Sequence, residues 1–168
     1  DLNPSTWKYS IGAETEKNTT ALTVERIQNL DVAILGIPFD YRKSEVYSVD
    51  APSSIRKEFY HLAKFESKLN IADLGNLKAS SSLKGNYQAL RDIVEFFNEL
   101  KISVIVMGGS QDLSSGICEA FKNNNLFTYS TIDAFLDVKK GIESFSSTNY
   151  LAKIFKTNPQ IFQFSLIG

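Results

Sequence analysis

The fold is best predicted from residues 87–121, which read YQALRDIVEFFNELKISVIVMGGSQDLSSGICEAF. In the first part of this stretch the apolar residues recur every three or four positions, which is typical of an amphipathic helix. A continuous apolar run follows at 102–107, and its lack of alternation favours a strand buried on both faces, as in parallel sheets. Gly108-Gly109 ends that strand, and a second helix is predicted at 113–122. The order helix, strand, turn, helix indicates βαβ units.

The flanking sequence continues this alternation. Further short apolar runs predict strands at 32–37, 69–74, 126–132 and 161–164. Helical spacing returns after Pro52, which suits a first helical position, and again from Tyr150. Strands alternating with helices indicate right-handed crossovers and a doubly wound, mostly parallel sheet. We therefore predict a single three-layer αβα domain over residues 1–168. We expect the strands at 102–107 and 126–132 to be parallel neighbours.

Composition excludes several classes of protein. Hydrophobic residues make up 43% and charged residues 22% of the 168 residues, which is ordinary for a globular domain and unlike a disordered chain. The net charge of -1 argues against a nucleic-acid surface. No apolar run approaches the roughly 18 residues of a membrane span, and no secretory signal is visible. The lone Cys118 favours a reducing compartment, so we expect a cytoplasmic protein without membrane or nucleic-acid partners.

Histidine is the residue type whose scarcity most constrains function. The chain has one, His61, so a site with two His ligands cannot be built from this chain alone. His61 follows an apolar helical stripe, and we interpret it as a structural or surface residue. Cys118 falls inside the predicted 113–122 helix, where a buried, unreactive thiol is expected.

Ligands of open α/β sheets bind outside the carboxyl ends of the strands, which here selects residues 38–40, 108–112 and 133–137. Asp133 and Asp137 could together hold a hard cation such as Mg²⁺ or Mn²⁺, or could cap a turn and be solvated. The turn of Gly108, Gly109, Ser110 and Asp112 could bind an anion on backbone N–H groups, or could simply need the conformational freedom of glycine. Spacing alone leaves both pairs of alternatives open.

Five short motifs, in this order along the chain, resemble motifs of the ureohydrolase family, which includes arginase, agmatinase and formimidoylglutamase. Residues 31–40 are similar to the family's opening strand, and Ala51–Arg56 resembles its Gly-Pro-x-x-Ile-Arg helix start. Asp73–Asn76 is similar to its Asp-x-Gly-Asn turn. Gly108–Asp112 stands at the position of its Gly-Gly-Asp-His-Ser, and Asp133–Asp137 at that of its Asp-Ala-His-x-Asp. The resemblance implies an arginase/deacetylase-like fold, complete or in part.

The resemblance also implies a particular metal site. In that family two Mn²⁺ ions share a bridging hydroxide that attacks a guanidino or formimino carbon. The resemblance implies six ligands. The fourth motif would supply one His; the fifth would supply one His and two Asp; and a later Asp-x-Asp segment would supply two more Asp. This sequence retains Asp133 and Asp137 but has Gln111 and Phe135 at the two His positions, and no convincing Asp-x-Asp follows. We therefore expect a vestigial site without metal in this chain.

Three functions follow as hypotheses. The first is a divergent ureohydrolase-family member, nearest to formimidoylglutamase, that has lost catalysis and acts as a binding or scaffold subunit. The second is an active manganese-dependent hydrolase of a guanidino or formimino C–N bond whose other ligands lie outside this chain. The third is an unrelated α/β domain that binds a phosphorylated small molecule at the Gly108–Asp112 turn.

The end of the sequence suggests an incomplete fold. Nothing after the last predicted strand would cover it, so we expect a piece of a longer protein. If the chain does stop at Gly168, the uncovered strand and apolar helix faces predict a dimer or larger homo-oligomer.

Overall fold

The computed structural model describes residues 10–17, 23–39, 49–63, 69–80, 82–123, 126–138 and 148–168. The helices are α1 Ile11–Glu14, α2 Val24–Gln28, α3 Ala51–Phe59, α4 Leu83–Glu99, α5 Ser114–Ala120 and α6 Tyr150–Thr157. The strands are β1 Val32–Gly36, β2 Ile71–Asn76, β3 Ser103–Met107, β4 Phe127–Ile132 and β5 Ile161–Ile167. Among the helices formed by these residues, none is both long and apolar enough to cross a membrane. The chain divides into two compact units, the first comprising Asp1–Ala79 and Phe96–Gly109, and the second Ser80–Glu95 and Ser110–Gly168.

The first unit is built on a three-stranded parallel sheet in the order β2-β1-β3. Strand β1 is central and pairs on both edges, which explains its continuous apolar sequence; Ala33 and Ile34 are fully buried. The chain moves from β1 through α3 to β2, and then returns to the other side of β1 to form β3. This reversal is the switch point at which open α/β sheets usually place their ligands.

The second unit has a two-stranded parallel sheet in which β4 pairs with β5. Helix α6 connects these strands and contributes Tyr150, Leu151 and Ile154 to a core that also contains Cys118. The rings of Tyr129 in β4 and Phe164 in β5 stack beside this core, with their centroids 5.9 Å apart. Both units therefore have the parallel strands and intervening helices that the sequence predicts, and the α/β class is confirmed.

The long amphipathic helix is confirmed as α4, since Leu90, Val94 and Phe97 along its apolar stripe are all buried. Its periodicity repeats over four turns, and each apolar position is close in sequence to the next. A stripe of this length is enough to predict a helix even when the partner against which it packs is unknown.

The expectation that β3 and β4 are neighbouring parallel strands is wrong. In the part of the chain that the structure describes, β3 belongs to the three-stranded sheet and β4 to the two-stranded sheet. Consecutive strands are neighbours in only about two-thirds of cases, and an apolar run carries no information about which strand it will pair with.

Two local features differ from a simple interpretation of the pattern. The strand predicted at 69–74 lies instead at Ile71–Asn76, so Gly75 and Asn76 are its last residues. Gly75 has φ +78, and Asn76 pairs with Gly36 beyond a register shift in β1. The apolar residues spaced along and after α3 are largely not part of the core, because Ile55 in α3 is 42% exposed and Leu62, beyond the end of the helix, is 53% exposed. Of the α3 side chains only Pro52 is buried. Hydrophobic spacing predicts the helix correctly but cannot show whether another element covers that face.

Candidate functional site

In the first unit, Arg56 of α3 forms a paired contact with Asp73 of β2. Its Nε donates to Asp73 Oδ2 at 2.7 Å and its Nη2 to Oδ1 at 2.9 Å, which is a bidentate geometry. The hydroxyl of Tyr60 also donates to the Asp73 carboxylate. The side chains of Arg56 and Asp73 are only 15% and 5% exposed, so this ion pair is largely removed from water.

The same guanidinium makes two further hydrogen bonds. Arg56 Nη1 donates to Asn76 Oδ1 at 2.6 Å, and Nη2 donates to the carbonyl of Gly75 at 2.8 Å. A side chain at Gly36 would meet this cluster, because a Cβ there would lie 2.0 Å from Asn76 Oδ1. Arg56 therefore holds α3 against the end of β2. Its role in this geometry is structural.

The pKa values of this cluster follow from burial and from the Asp73 charge. Burial alone would lower the pKa of Arg56, but the hydrogen bonds and charge of Asp73 outweigh it, and the pKa is raised. Burial, reinforced by the hydrogen bond to Asp73, raises the pKa of Tyr60 above its ordinary value. The cluster thus consists of a cationic Arg56 and a neutral Tyr60 around one carboxylate at neutral pH.

The Gly108-Gly109 turn follows β3 at the same end of the sheet. Both glycines have φ +81, in the left-handed region that disfavours other residues. A Cβ on Gly108 would lie 2.6 Å from Cδ of Pro52, the buried residue in the first turn of α3. The turn requires glycine at position 108 for two reasons, the backbone conformation and the close approach of α3.

Substitution Gly108→Ala is expected to lower the free energy of unfolding by about 2–4 kcal/mol. About 1–2 kcal/mol arises from the left-handed backbone, and the rest from overpacking against Pro52. The matched control is Gly75→Ala, since Gly75 has φ +78 but no atom within 4 Å of the position that a Cβ would take. Denaturant unfolding should show a loss of only about 1–2 kcal/mol for that control. Equal losses for the two variants would mean that overpacking against Pro52 contributes nothing to the destabilisation by Gly108→Ala.

In the second unit the structure brings Gln111 and Asp133 together. Gln111 begins the single 3₁₀ turn before α5, and Asp133 directly follows β4. The Gln111 amide donates from Nε2 to Asp133 Oδ2 at 2.5 Å, and the backbone N–H of Phe135 donates to Asp133 Oδ1 at 3.1 Å. Each carboxylate oxygen of Asp133 therefore accepts a hydrogen bond from an N–H group.

The other two residues of the implied metal site occupy different environments. The ring of Phe135 is 74% exposed, while Asp137 is half-buried. Among the described residues there is no cluster of three or more His, Cys, Asp or Glu side chains that could hold a metal ion. The contact between Gln111 and Asp133 is thus the central feature of this candidate site.

The remaining residues of the predicted binding turn are buried. The carboxylate of Asp112 accepts a hydrogen bond from the Tyr87 hydroxyl, and its carbonyl accepts one from Ser115 Oγ at 2.6 Å. Ser110 is 7% exposed, and its Oγ has no hydrogen-bond partner among the described residues. Sequence reasoning treated Tyr87 only as part of an apolar stripe. The signal that could have identified its second role is that a half-buried tyrosine hydroxyl needs a polar partner.

Neither His61 nor Cys118 takes part in the hydrogen bonds of Asp133 described above. His61 is exposed just after α3, and its Nδ1 lies 2.5 Å from the carbonyl oxygen of Lys57. Cys118 is 3% exposed. Burial, with a smaller contribution from the charge of Glu119, raises the pKa of the Cys118 thiol to about 12, so the thiol is unreactive at neutral pH. Of the third predicted place, Pro38–Asp40, the carboxylate of Asp40 lies outside the described residues.

Comparison with solved structures shows a common fold. A formimidoylglutamase from Bacillus subtilis subsp. subtilis str. 168 has a TM-score of 0.74 at 12% identity, over 95% of this chain and 52% of that one. A putative agmatinase from Clostridium difficile has a TM-score of 0.70 at 20% identity, over 82% of this chain and 55% of that one. A Trypanosoma cruzi formiminoglutamase, solved with Mn²⁺, has a TM-score of 0.69 at 18% identity, over 82% of this chain and 52% of that one. The chain thus spans about half the length of these structures.

Sequence comparison gives a match to one family model. No curated protein matches the chain. The model of the arginase family matches residues 30–164, which is most of the 168 residues. The chain belongs to the arginase family.

Proposed function

We propose that this chain is an arginase-family protein with a degraded dimanganese site, and that by itself it does not hydrolyse a guanidino or formimino C–N bond. The observation that carries the proposal is the hydrogen bond between Gln111 and Asp133. Where the family resemblance implies a histidine lone pair directed at a metal, this chain directs an amide N–H at a carboxylate oxygen.

The donor set does not fit a dinuclear manganese centre. A metal ligand must offer a lone pair, and the exposed ring of Phe135 has none. The N–H groups of Gln111 and Phe135 each occupy one lone pair of the Asp133 carboxylate, on Oδ2 and Oδ1 respectively. Two carboxylates without an imidazole are a weak donor set for two Mn²⁺ ions.

A second candidate function is an active manganese hydrolase whose remaining ligands lie outside this chain. It is favoured by one observation, that the chain spans about half the length of the solved relatives. Manganese would then be the cofactor, and a guanidino or formimino compound the substrate. The third hypothesis, an unrelated α/β domain, is wrong, because the family model matches residues 30–164.

Metal analysis and activity assays test the proposal together. After dialysis against buffer without metal, the purified chain should retain less than one Mn²⁺ per chain. Millimolar Mn²⁺ should leave its melting temperature unchanged, because stabilisation requires ligand in excess of its dissociation constant. No urea should be released from arginine or agmatine, and no formamide or ammonia from formiminoglutamate, above the level of an Asp133→Asn variant.

The opposite results would distinguish the two candidates. Two tightly held Mn²⁺ per chain, with turnover that is lost in Asp133→Asn, would overturn the proposal and favour the active hydrolase. Turnover that appears only when a longer product of the same gene, or a second protein, is added would assign the missing ligands to that added segment.

We also propose that the chain self-associates and acts in the cytoplasm, without nucleic-acid or membrane partners. Support for association comes from the exposed side chains of Ile132 and Phe135 near the end of β4, and of Ile167 in β5. Exposed apolar groups that lie close together favour contact with another surface. The location rests on Cys118, a free thiol that suits a reducing compartment.

A further inference from the structure

Strand β5 has an outer edge that no other strand covers in the part of the chain that the structure describes. Its inner edge pairs with β4, and no third strand formed by these residues joins the sheet. The outer edge of such a strand presents backbone N–H and C=O groups with which another strand can pair. The sheet of the second unit can therefore be extended beyond β5.

The composition of β5 does not protect this edge. The strand, Ile161–Ile167, reads IFQFSLI and contains no charged residue, no proline and no glycine. Exposed edges are usually protected by lysine or proline, and an uncharged apolar strand is prone to pair with other chains. Three large apolar side chains of β5 are also exposed, those of Phe162, Leu166 and Ile167.

A register shift limits the part of β5 that can form a regular ladder. Phe127 pairs with Ile161, but the next residue of β4, Thr128, pairs with Gln163, so Phe162 is an extra residue on β5. An extra residue of this kind interrupts the alternation of side chains between the two faces. The regular part of the strand is therefore 163–167.

This regular part is self-complementary in an antiparallel pairing. A second copy, related by a two-fold axis at Ser165, would place Phe164 opposite Leu166 in two equivalent pairs. Ser165 would lie opposite its own copy, and Gln163 opposite Ile167. Residues opposite each other in a ladder share one face of the sheet, so both apolar pairs would lie on the same face. The arrangement uses the same surface on both copies and closes as a dimer.

Charge and packing both favour a second copy as the occupant of this edge. An uncharged strand gives no electrostatic preference for an acidic or a basic partner, and two copies of it meet no like charges along the ladder. Phe164 already packs against Phe155 of α6, with the ring centroids 4.9 Å apart. Leu166 of a second copy, opposite Phe164, would extend this apolar contact.

We propose that two copies of this chain associate by antiparallel pairing of their β5 strands, with the two-fold axis at Ser165, to form one continuous four-stranded sheet. This inference rests on the self-association proposed above, and it adds the surface and the geometry of the contact.

Oxidative cross-linking tests the position of the axis. In the variant Ser165→Cys the two new thiols lie opposite each other, at a Cα separation of about 4.5–5.5 Å that a disulfide can span. Oxidation should link most chains into covalent dimers. The matched control is Ser130→Cys, because Ser130 is exposed in β4 and pairs with Ser165. Its two copies would be three strand spacings apart, about 14 Å, and should stay unlinked.

Light scattering tests the surface. At a chain concentration of about 100 μM the unmodified chain should have twice the mass of one chain. Leu166→Lys should raise the dissociation constant of the dimer at least about tenfold, because a lysine on an edge strand opposes pairing. Thr128→Lys adds the same charge at an exposed position of β4. It should change the dissociation constant less than about twofold, because β4 lies about a Debye length from the partner.

Circular dichroism checks that each variant folds, and Ile167→Lys replaces Leu166→Lys if that variant does not. A dimer that is weakened equally by lysine on β4 and on β5, or that Ser165→Cys does not link, would associate through another surface. The self-association would then stand and the β5 pairing would be wrong. A monomer at about 100 μM would overturn both proposals. Slow hydrogen exchange of the β5 amides in that monomer would assign the edge to another segment of the same chain.

Discussion

Replacing Asp73 with alanine is expected to lower the free energy of unfolding by about 3–5 kcal/mol. The carboxylate of Asp73 accepts two hydrogen bonds from Arg56 and one from the Tyr60 hydroxyl. Its removal leaves the guanidinium of Arg56, 15% exposed, without a counterion. Loss of one partner of a buried pair costs more than the pair contributes, since the remaining charge stays desolvated.

The matched control is Asp92→Ala. Asp92 also pairs with an arginine, Arg91 at 2.6 Å, but its side chain is 54% exposed and that of Arg91 is 35% exposed. Solvated pairs of this kind contribute about 0–1 kcal/mol, so the control should change stability by less than about 1 kcal/mol. Unfolding in urea, followed by circular dichroism, measures both variants. Similar losses for Asp73→Ala and Asp92→Ala would contradict the argument.

A double substitution separates the cost of an unpaired charge from the contribution of the pair. If Arg56→Leu and Asp73→Leu are combined, both charges disappear together. The double variant should be more stable than the sum of the two single losses predicts, because neither desolvated charge remains. Additive losses would mean that Arg56 and Asp73 stabilise the fold independently of each other.

Restoring two imidazoles is expected to have the second large effect. In the variant Gln111→His/Phe135→His, the two histidines would join Asp133 and Asp137, giving up to four ligands for one Mn²⁺. The hydrogen bond between Gln111 and Asp133 would also be removed. With Mn²⁺ at about 100 times its dissociation constant, binding should stabilise the folded chain by about 2.7 kcal/mol.

Thermal unfolding with and without Mn²⁺ measures this gain, and a chelator should reverse it. The control Gln111→Asn/Phe135→Leu changes the same two positions without adding imidazole, and should show no gain. A melting temperature that does not respond to Mn²⁺ in the histidine variant would contradict the view that Asp133 and Asp137 are the remnant of a metal site. An equal gain in both variants would mean that Mn²⁺ binds elsewhere.

The sequence by itself determined the elements of the fold and the chemical character of the candidate site. Helix α4 and strands β1 and β3 follow from periodicity, because their apolar positions are separated by only a few residues. The glycines at 108 and 109 predicted the turn after β3. Through the family resemblance, the identities of Gln111 and Phe135 predict a site that lacks two imidazole ligands.

Only the tertiary structure decided which residues meet. Arg56 and Asp73 are 17 residues apart in sequence, Gln111 and Asp133 are 22 apart, and Tyr87 and Asp112 are 25 apart. The same holds for the assignment of β3 and β4 to different sheets. Periodicity arises from neighbours along the chain, whereas these contacts depend on the path of the intervening segments. No local pattern of residues encodes that path.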